Sequence, residues 1–299
     1  MFRLFLFLTI VSINISQTNA SDSKVLLLEY EKSISTLINR ISQEISHSEK
    51  NKLNDELISV FYEALTIDGS FNHPFESIKN IGNLKSNDNK LRIVTWNIPQ
   101  VGGFQRYFGF IQINTSGNVK IYPLTDNRSS IENPQVEVLS PDNWYGSLYY
   151  SIKEVSHQGK TYYTLLGVDL NNIFSTKRVI EIVYINQQNE PTFGYPIFRI
   201  QNSIINRVIF EYSARANMVL RWSDDIKMIV FDHLMPLRPD YKNNFQFYVP
   251  DLSFDGFKYE NSFWVYTPDV DIRNESRARQ PRPKAPEESI DPGFIYRTK

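Results

Sequence analysis

The 299-residue chain contains no cysteine. Disulfides, thiolate metal sites, a cysteine nucleophile and lipid attachment to an N-terminal cysteine are therefore excluded. The fold must be held by its core, and a chain of this length can form one sizeable core or two smaller ones.

Histidine is scarce, and complete catalytic motifs are missing. The chain has 4 histidines, scattered in sequence at His47, His73, His157 and His233. It has no G-x-S-x-G, no H-E-x-x-H, no phosphate-binding glycine loop and no dinucleotide fingerprint. Nothing selects a carboxylate pair for glycoside hydrolysis, because the separation of such a pair is set by the fold.

An excess of charge of either sign is also lacking. Lys and Arg number 32 against 33 Asp and Glu, which gives a net charge of −1. This balance favours neither nucleic acid nor an anionic membrane as a partner.

The one long apolar run is at the start of the chain. Arg3 precedes an apolar run over 4–15, and Thr18-Asn19-Ala20 supplies a small-residue exit. This layout predicts a secretory signal peptide over residues 1–20 and an exported protein, periplasmic or at the cell surface. An uncleaved anchor is the alternative, but the run is about a dozen residues, whereas a spanning helix needs roughly 20. We predict no transmembrane segment in the mature chain.

The next stretch, 21–66, has helical periodicity and predicts a helical hairpin. A coiled-coil dimer is the alternative. The apolar positions recur at three- and four-residue steps: Leu27, Tyr30, Ile34, Leu37, Ile38, Ile41 and Ile45, then Leu53, Leu57, Val60, Phe61, Ala64 and Leu65.

The remaining chain divides into three parts. Residues 67–90 are polar and predict a linker or surface loop. From 91 to 268 the period changes to two, and about a dozen short strands predict an antiparallel β meander, as a barrel, a sandwich or a curved sheet. The fold class is therefore α+β, mainly β. The runs over 179–185 and 228–231 lack alternation, which predicts cover on both faces.

Residues 269–299 are rich in Arg, Glu and Pro and predict an extended or disordered tail. The tail is either solvated or a segment that binds an envelope protein, since an apolar cluster at 293–296 lies near its end.

The stretch 227–266 is the best candidate for a functional loop. It consists of two strand-like runs, 227–234 and 262–266, with a long acidic and aromatic connection between them. His233 could act as a general base or a metal ligand, with Asp240, Asp251 or Asp255 completing an acidic site. Strand alternation argues against a pair with its neighbour Asp232, and a structural histidine is the alternative.

Residues 251–256, DLSFDG, begin as a calcium loop does, with oxygen-bearing side chains followed by glycine. The twelfth position is Ser262 where a bidentate Glu is needed, so calcium is a weak prediction and we predict no other cofactor. The alternative is an Asp-Gly turn between strands.

Aromatic residues are abundant in the same stretch. Exposed rings at Tyr248, Phe254, Phe257 and Trp264 could stack on sugars or peptides. The alternative is that they form core contacts and cross-strand pairs.

Three segments carry a resemblance to known proteins: YTLLGVDLN at 163–171, the strand at 178–184, and the blocks IVFDHL at 229–234 and VPDLSFDGF at 249–257. They resemble uncharacterised exported β-rich proteins of the Bacteroidetes type, which share an LLGxD strand end and an FDHL…PDxSxDGF block. The resemblance implies a periplasmic or surface location in a Gram-negative cell. It carries no known activity and no catalytic residue.

The predicted function is that of an exported, non-enzymatic binding or assembly factor at the cell envelope, including a role in secretion or outer-membrane assembly. A hydrolase, metal-assisted or not, with its site in 232–260 is one alternative. A glycan-binding module is another.

Overall fold

The structure is a computed structural model that describes residues 20–272. The predicted signal peptide and the tail beyond residue 272, including the apolar cluster at 293–296, lie outside the described residues. The described part contains two helices at its start followed by three open β-sheets, so the predicted fold class, α+β and mainly β, is confirmed.

The predicted helical hairpin is formed by α1 (Ala20–Gln43) and α2 (His47–Thr66). Ser46 caps α2, because its hydroxyl accepts a hydrogen bond from the backbone amide of Glu49 at 3.4 Å. Ile45 is not part of the apolar stripe as predicted. It lies in the connection between the helices, where it is 89% exposed.

The strands form three sheets, named here in chain order. The first sheet has the order β1 (Gly82–Lys85), β2 (Leu91–Pro99), β3 (Gln105–Thr115) and β4 (Asn118–Thr125). The second has the order β11 (Arg207–Ser213), β7 (Ser175–Ile185), β6 (Lys160–Asp169) and β5 (Leu148–His157), and β8 (Pro191–Phe193) pairs with β7. The third has the order β10 (Ser203–Ile205), β9 (Phe198–Ile200), β15 (Phe263–Thr267), β14 (Tyr248–Glu260), β13 (Met228–Pro236) and β12 (Leu220–Ser223). Neighbouring strands are antiparallel except β9 and β15, which are parallel.

The elements stack as four layers with an apolar core between each pair. The helices pack on the first sheet, the first sheet on the second, and the second on the third. In β7, Val179 and Val183 join the core with the first sheet, while Ile180 and Ile182 join the core with the third. The predicted burial of this strand on both faces is therefore confirmed, and it explains the unbroken apolar run.

A buried ion pair joins two neighbouring strands of the second sheet. Arg207 on β11 donates to Glu181 on β7 at 2.5 Å, and both side chains are fully buried. Arg207 also donates to the carbonyl of Pro134, which holds the connection between β4 and β5 against the sheet. Burial raises the pKa of Glu181, and Arg207 opposes that shift.

The segment 67–90, predicted as a linker or surface loop, is packed into the fold. It contains β1 and a short 3-10 helix at Ser70–Asn72, and its apolar side chains Phe71, Phe75 and Ile78 are buried. Glu31 on α1 is within 2.6 Å of the His73 ring and accepts from the Ser77 amide at 2.6 Å. Periodicity does not reveal this segment, because its few apolar residues follow neither a helical nor a strand period.

The prediction of a long connection within 227–266 is wrong. β14 runs from Tyr248 through the DLSFDG sequence to Glu260, and it pairs with β13 on one side and β15 on the other. Asp255 and Gly256 therefore lie inside a strand and not in a turn. A Cβ at Gly256 would lie 3.0 Å from the carbonyl oxygen of Ile229, so this glycine permits a close approach of β13.

No helix within residues 20–272 is long and apolar enough to cross a membrane.

Candidate functional site

The first candidate site lies at a large bulge between β13 and β14. The strand pairing passes from Asp232 opposite Phe254 to Leu234 opposite Pro250, so His233 faces the three residues 251–253. Leu252, at the centre of this insertion, has φ 74° and is 91% exposed. Bulges redirect side chains, and this one separates His233 from the regular alternation of β13.

His233 forms a polar cluster with Asp255 and Tyr266. The Nδ1 atom of His233 lies 2.8 Å from Oδ2 of Asp255, and the Tyr266 hydroxyl donates to the same oxygen at 2.6 Å. The backbone amide of Asp269 donates to the other carboxylate oxygen at 3.2 Å. The Asp255 side chain is only 6% exposed, whereas that of His233 is 42% exposed.

The charges of the polar cluster shift its pKa values. The hydrogen bond to Asp255 raises the pKa of His233 above its ordinary value. Burial and the nearby Asp255 carboxylate raise the pKa of Tyr266, which therefore stays a donor at neutral pH. A histidine oriented by a carboxylate and open to solvent can hold or transfer a proton, or bind an anionic group when protonated.

Of the three carboxylates predicted to form a site with His233, only Asp255 is hydrogen-bonded to it. Asp251 accepts from the Ser253 hydroxyl at 2.7 Å, which lowers its pKa, and Asp240 is paired with Arg238 at 2.9 Å on the surface. Asp232 is buried and accepts from the Val219 amide at 2.6 Å, so it does not pair with His233.

Among residues 20–272 there is no group of three or more His, Asp and Glu side chains that could hold a metal ion. The Asp255 oxygens already accept from His233, Tyr266 and the Asp269 amide. Calcium binding stays a prediction.

The prediction that four aromatic residues bind a ligand is wrong for two of them. Phe257 and Trp264 are fully buried between the second and third sheets, and the Trp264 indole nitrogen donates to Thr164 at 3.1 Å. Rings in these positions cannot stack on a sugar. Tyr248 and Phe254 are half-buried, and the Tyr248 hydroxyl accepts from the Asn243 amide at 3.1 Å.

A second candidate site is an exposed apolar surface that the sequence reasoning missed. We name it the apolar end. Its large side chains come from three connections in three layers and are between 41% and 89% exposed. They are Ile45 between α1 and α2, Val101 and Phe104 between β2 and β3, and Leu170, Ile173 and Phe174 between β6 and β7.

The tip between β2 and β3 is closed by its own backbone. The amide of Gln100 donates to the carbonyl of Phe104 at 2.7 Å, and Gly102 and Gly103 have φ 77° and 80°. Such positive φ angles strain other residues, which explains the glycine pair. The result is a tight hairpin tip with Val101 and Phe104 on its surface.

The tips of the first and second sheets are in direct contact. A Cβ at Gly103 would clash with Cγ2 of Ile173. The amide of Leu170 donates to the Tyr107 hydroxyl at 2.8 Å, which anchors the second tip to β3. The two tips therefore form one continuous surface.

The Arg128 side chain links the bases of the same two hairpins. It donates to the Asp169 carboxylate at 2.7 Å, where β6 ends, and to the carbonyl of Gln105, where β3 begins. Burial raises the pKa of Asp169, and Arg128 opposes the shift. Asp169 is the aspartate of the LLGxD strand end, so this motif residue holds the apolar end together.

The helical hairpin completes the apolar end. Nδ1 of His47 lies 3.3 Å from the carbonyl oxygen of Pro99, and Gln100 donates to Asn51 at 3.4 Å. These contacts hold the connection between the helices, with Ile45, beside the first tip.

One sequence signal could have identified the apolar end. The tip sequences at 99–105 and 170–176, PQVGGFQ and LNNIFST, contain no charged residue although each joins two strands. Hairpin loops are surface segments, so large apolar side chains without charges are unusual there. That the two tips meet depends on the stacking of the sheets, which local patterns do not reveal.

Comparison with known proteins gives no match: no family model, no curated protein and no solved structure is significantly similar to the chain. The resemblance to exported β-rich proteins therefore stays a prediction.

Proposed function

We propose that this protein is an exported binding or assembly factor of the bacterial cell envelope, and that the apolar end is its binding surface. The observation that carries the proposal is the contact between two uncharged hairpin tips, which brings exposed apolar side chains from separate layers together. Contiguous exposed apolar surface on a folded protein is typical of interaction sites. Export is inferred from the first twenty residues.

The construction of the apolar end supports this proposal. Exposed apolar side chains lower the solubility of a protein. Contacts that fix such side chains in place therefore favour a function for them. Here the partly buried Arg128 and the Tyr107 hydroxyl both fix the tips. A rigid surface loses less conformational entropy on binding.

The proposal is tested with the full chain expressed in a Gram-negative host. We expect mass spectrometry to place the N-terminus of the recovered protein at Ser21, and the protein to pellet with washed envelopes. The double variant Phe104→Gln, Phe174→Gln should be released from the envelopes. The matched control is Val25→Gln, Leu28→Gln, which changes exposed residues near the start of α1, roughly 20 Å along the helix from the connection that holds Ile45. Equal pelleting of both variants, or cytoplasmic recovery, would contradict the proposal.

A hydrolase is the second candidate function, and the polar cluster is the observation that favours it. The 2.8 Å contact between His233 and Asp255 fixes the ring, and the partial exposure of the ring lets a water molecule reach it. His233 would then act as the general base. Among residues 20–272 no serine or threonine hydroxyl is hydrogen-bonded to His233, so water would be the nucleophile.

This second candidate is tested by hydrolysis of a panel of nitrophenyl esters, phosphates and glycosides. His233→Ala and Asp255→Asn should each abolish any activity found, while Asp240→Asn should leave it unchanged. Activity that survives in His233→Ala would exclude the polar cluster as its source.

A further inference from the structure

We propose that the apolar end docks on the surface of a phospholipid bilayer, with its tips inserted among the acyl chains and Arg106 and Arg215 at the level of the phosphates. The inference rests on the proposed function and names the partner of the same surface.

The shape of the apolar end favours lipid over protein. Its large side chains stand on hairpin tips and are individually well exposed, so the surface projects outward. Acyl chains are fluid and rearrange around each projecting side chain, whereas a protein partner must offer a matched cavity for each one. Apolar side chains of peripheral proteins reach roughly 5–10 Å into the boundary between head groups and acyl chains, a depth that hairpin tips can reach.

The composition of the tips fits that environment. Residues 99–105 and 170–176 contain no Asp, Glu, Lys or Arg, so no charge is carried into the bilayer. Phe104 and Phe174 bring aromatic rings to both tips, and their neighbours Gln105 and Asn172 are polar but uncharged. Insertion of these two tips therefore costs no ion desolvation.

Two arginines lie at the base of the tips. Arg106 follows the first tip on β3, and its guanidinium lies 5.1 Å from the centre of the Phe108 ring. Arg215 follows Ala214, whose amide donates to the carbonyl of Phe174 at 2.9 Å in the second tip. Both are exposed, and neither forms an ion pair with any residue in 20–272. Arginine is suited to bidentate contact with phosphate.

The carboxylates around the tips are engaged within the protein. Asp169 is paired with Arg128, and Glu211 accepts from Ser175 at 2.5 Å and lies 3.7 Å from Lys177. Glu44 accepts from the amides of Ile45 and Ser46, both at 2.8 Å. Arg106 and Arg215 thus carry positive charge at the base of the two tips without an ion-pair partner among residues 20–272, and the net charge of −1 does not reveal it.

The test is flotation of the purified full chain with vesicles of phosphatidylethanolamine and phosphatidylglycerol. The wild type should float, and Phe104→Gln, Phe174→Gln should lower the vesicle-bound fraction roughly tenfold or more. Val25→Gln, Leu28→Gln, the control at the start of α1, should float as the wild type does. The double variant Arg106→Gln, Arg215→Gln should have a smaller vesicle-bound fraction than the wild type. Because salt screens charges, the difference between this variant and the wild type should shrink in high salt. The control Arg221→Gln should bind vesicles as the wild type does.

Loss of flotation in both apolar variants, or no flotation of the wild type, would overturn the lipid inference. If the wild type does not bind vesicles, but its pelleting with envelopes depends on Phe104 and Phe174, the partner is a protein and the proposed function stands. If the tips matter in neither assay, both proposals fail.

Discussion

The polar cluster and the apolar end differ in how the chain builds them. The polar cluster is formed within one sheet, where a bulge between β13 and β14 turns His233 toward Asp255. The apolar end is formed between layers, where the tip at Gly103 meets Ile173 of another sheet. The first site consists of residue types that attract attention in a sequence, and the second consists of ordinary apolar residues made unusual by exposure.

The difference shows which kind of site local sequence patterns can reveal. The sequence marks His233 and Asp255 as candidates because histidine and acidic side chains can transfer protons and bind metals. Nothing about Phe104 or Ile173 alone marks a site, and only the stacking of the sheets joins them. Surface function made from apolar residues is therefore harder to predict than function made from ionisable ones.

The largest effect is expected from Asp255→Ala. The change leaves the Tyr266 hydroxyl, the His233 ring and the Asp269 amide without their acceptor. We expect a loss of roughly 2–3 kcal/mol in the free energy of unfolding, measured by urea titration. Asp240→Ala, which removes an exposed ion pair, should cost less than about 1 kcal/mol. Equal losses would show that the polar cluster is not held as described.

The next effect concerns the contact between the tips. Gly103→Ala places a Cβ against Ile173 at a positive φ, and we expect it to cost about 1 kcal/mol more than Gly69→Ala. Gly69 has a similar φ of 85° but open space around it, so it isolates the backbone strain. Adding Ile173→Ala should relieve the extra cost in urea titrations. Without that relief, the tips would not be in contact.

A smaller effect is the pH dependence of the polar cluster. Because the folded pKa of His233 is raised, its stabilising contribution is complete below the unfolded pKa of about 6.5. It is lost as the pH rises through the higher folded pKa. Stability curves of the wild type and His233→Gln should therefore converge with rising pH. Parallel curves across that range would mean that His233 titrates the same way folded and unfolded.

The smallest effect on stability is expected at the apolar end itself. Phe104→Gln and Phe174→Gln should each change the free energy of unfolding by less than about 0.5 kcal/mol, because both rings are exposed. Thermal denaturation measures this directly. A cost above about 1 kcal/mol would show that the rings serve the fold rather than a partner.

Much of the fold follows from periodicity alone. The helical hairpin and most strands were predicted because an apolar face imposes a period of 3.6 or 2. The packing of residues 67–90 and the full length of β14 do not follow from the sequence pattern, for physical reasons. Phe71 and Phe75 are buried without any period, and Gly256, a turn signal in sequence, serves close strand packing instead.

The candidate site was predictable only in part. Sequence selected His233 and Asp255, but their pairing depends on a register shift that no local pattern specifies. The aromatic pattern predicts Phe257 and Trp264 as binding residues, but the second sheet covers them. Asp169 stands out in the sequence only as the end of the LLGxD segment, and its role in holding the tips depends on Arg128, which is distant in sequence.

The absence of cysteine permits the most direct test of the apolar end as a docking surface. A single cysteine at Phe104→Cys carries a polarity-sensitive fluorophore, and Val25→Cys, at a residue 56% exposed near the start of α1, is the matched position. On addition of phospholipid vesicles, the probe at position 104 should shift to the blue and the probe at position 25 should not. An equal shift at both positions, a shift at position 25 alone, or a shift at neither would contradict the account.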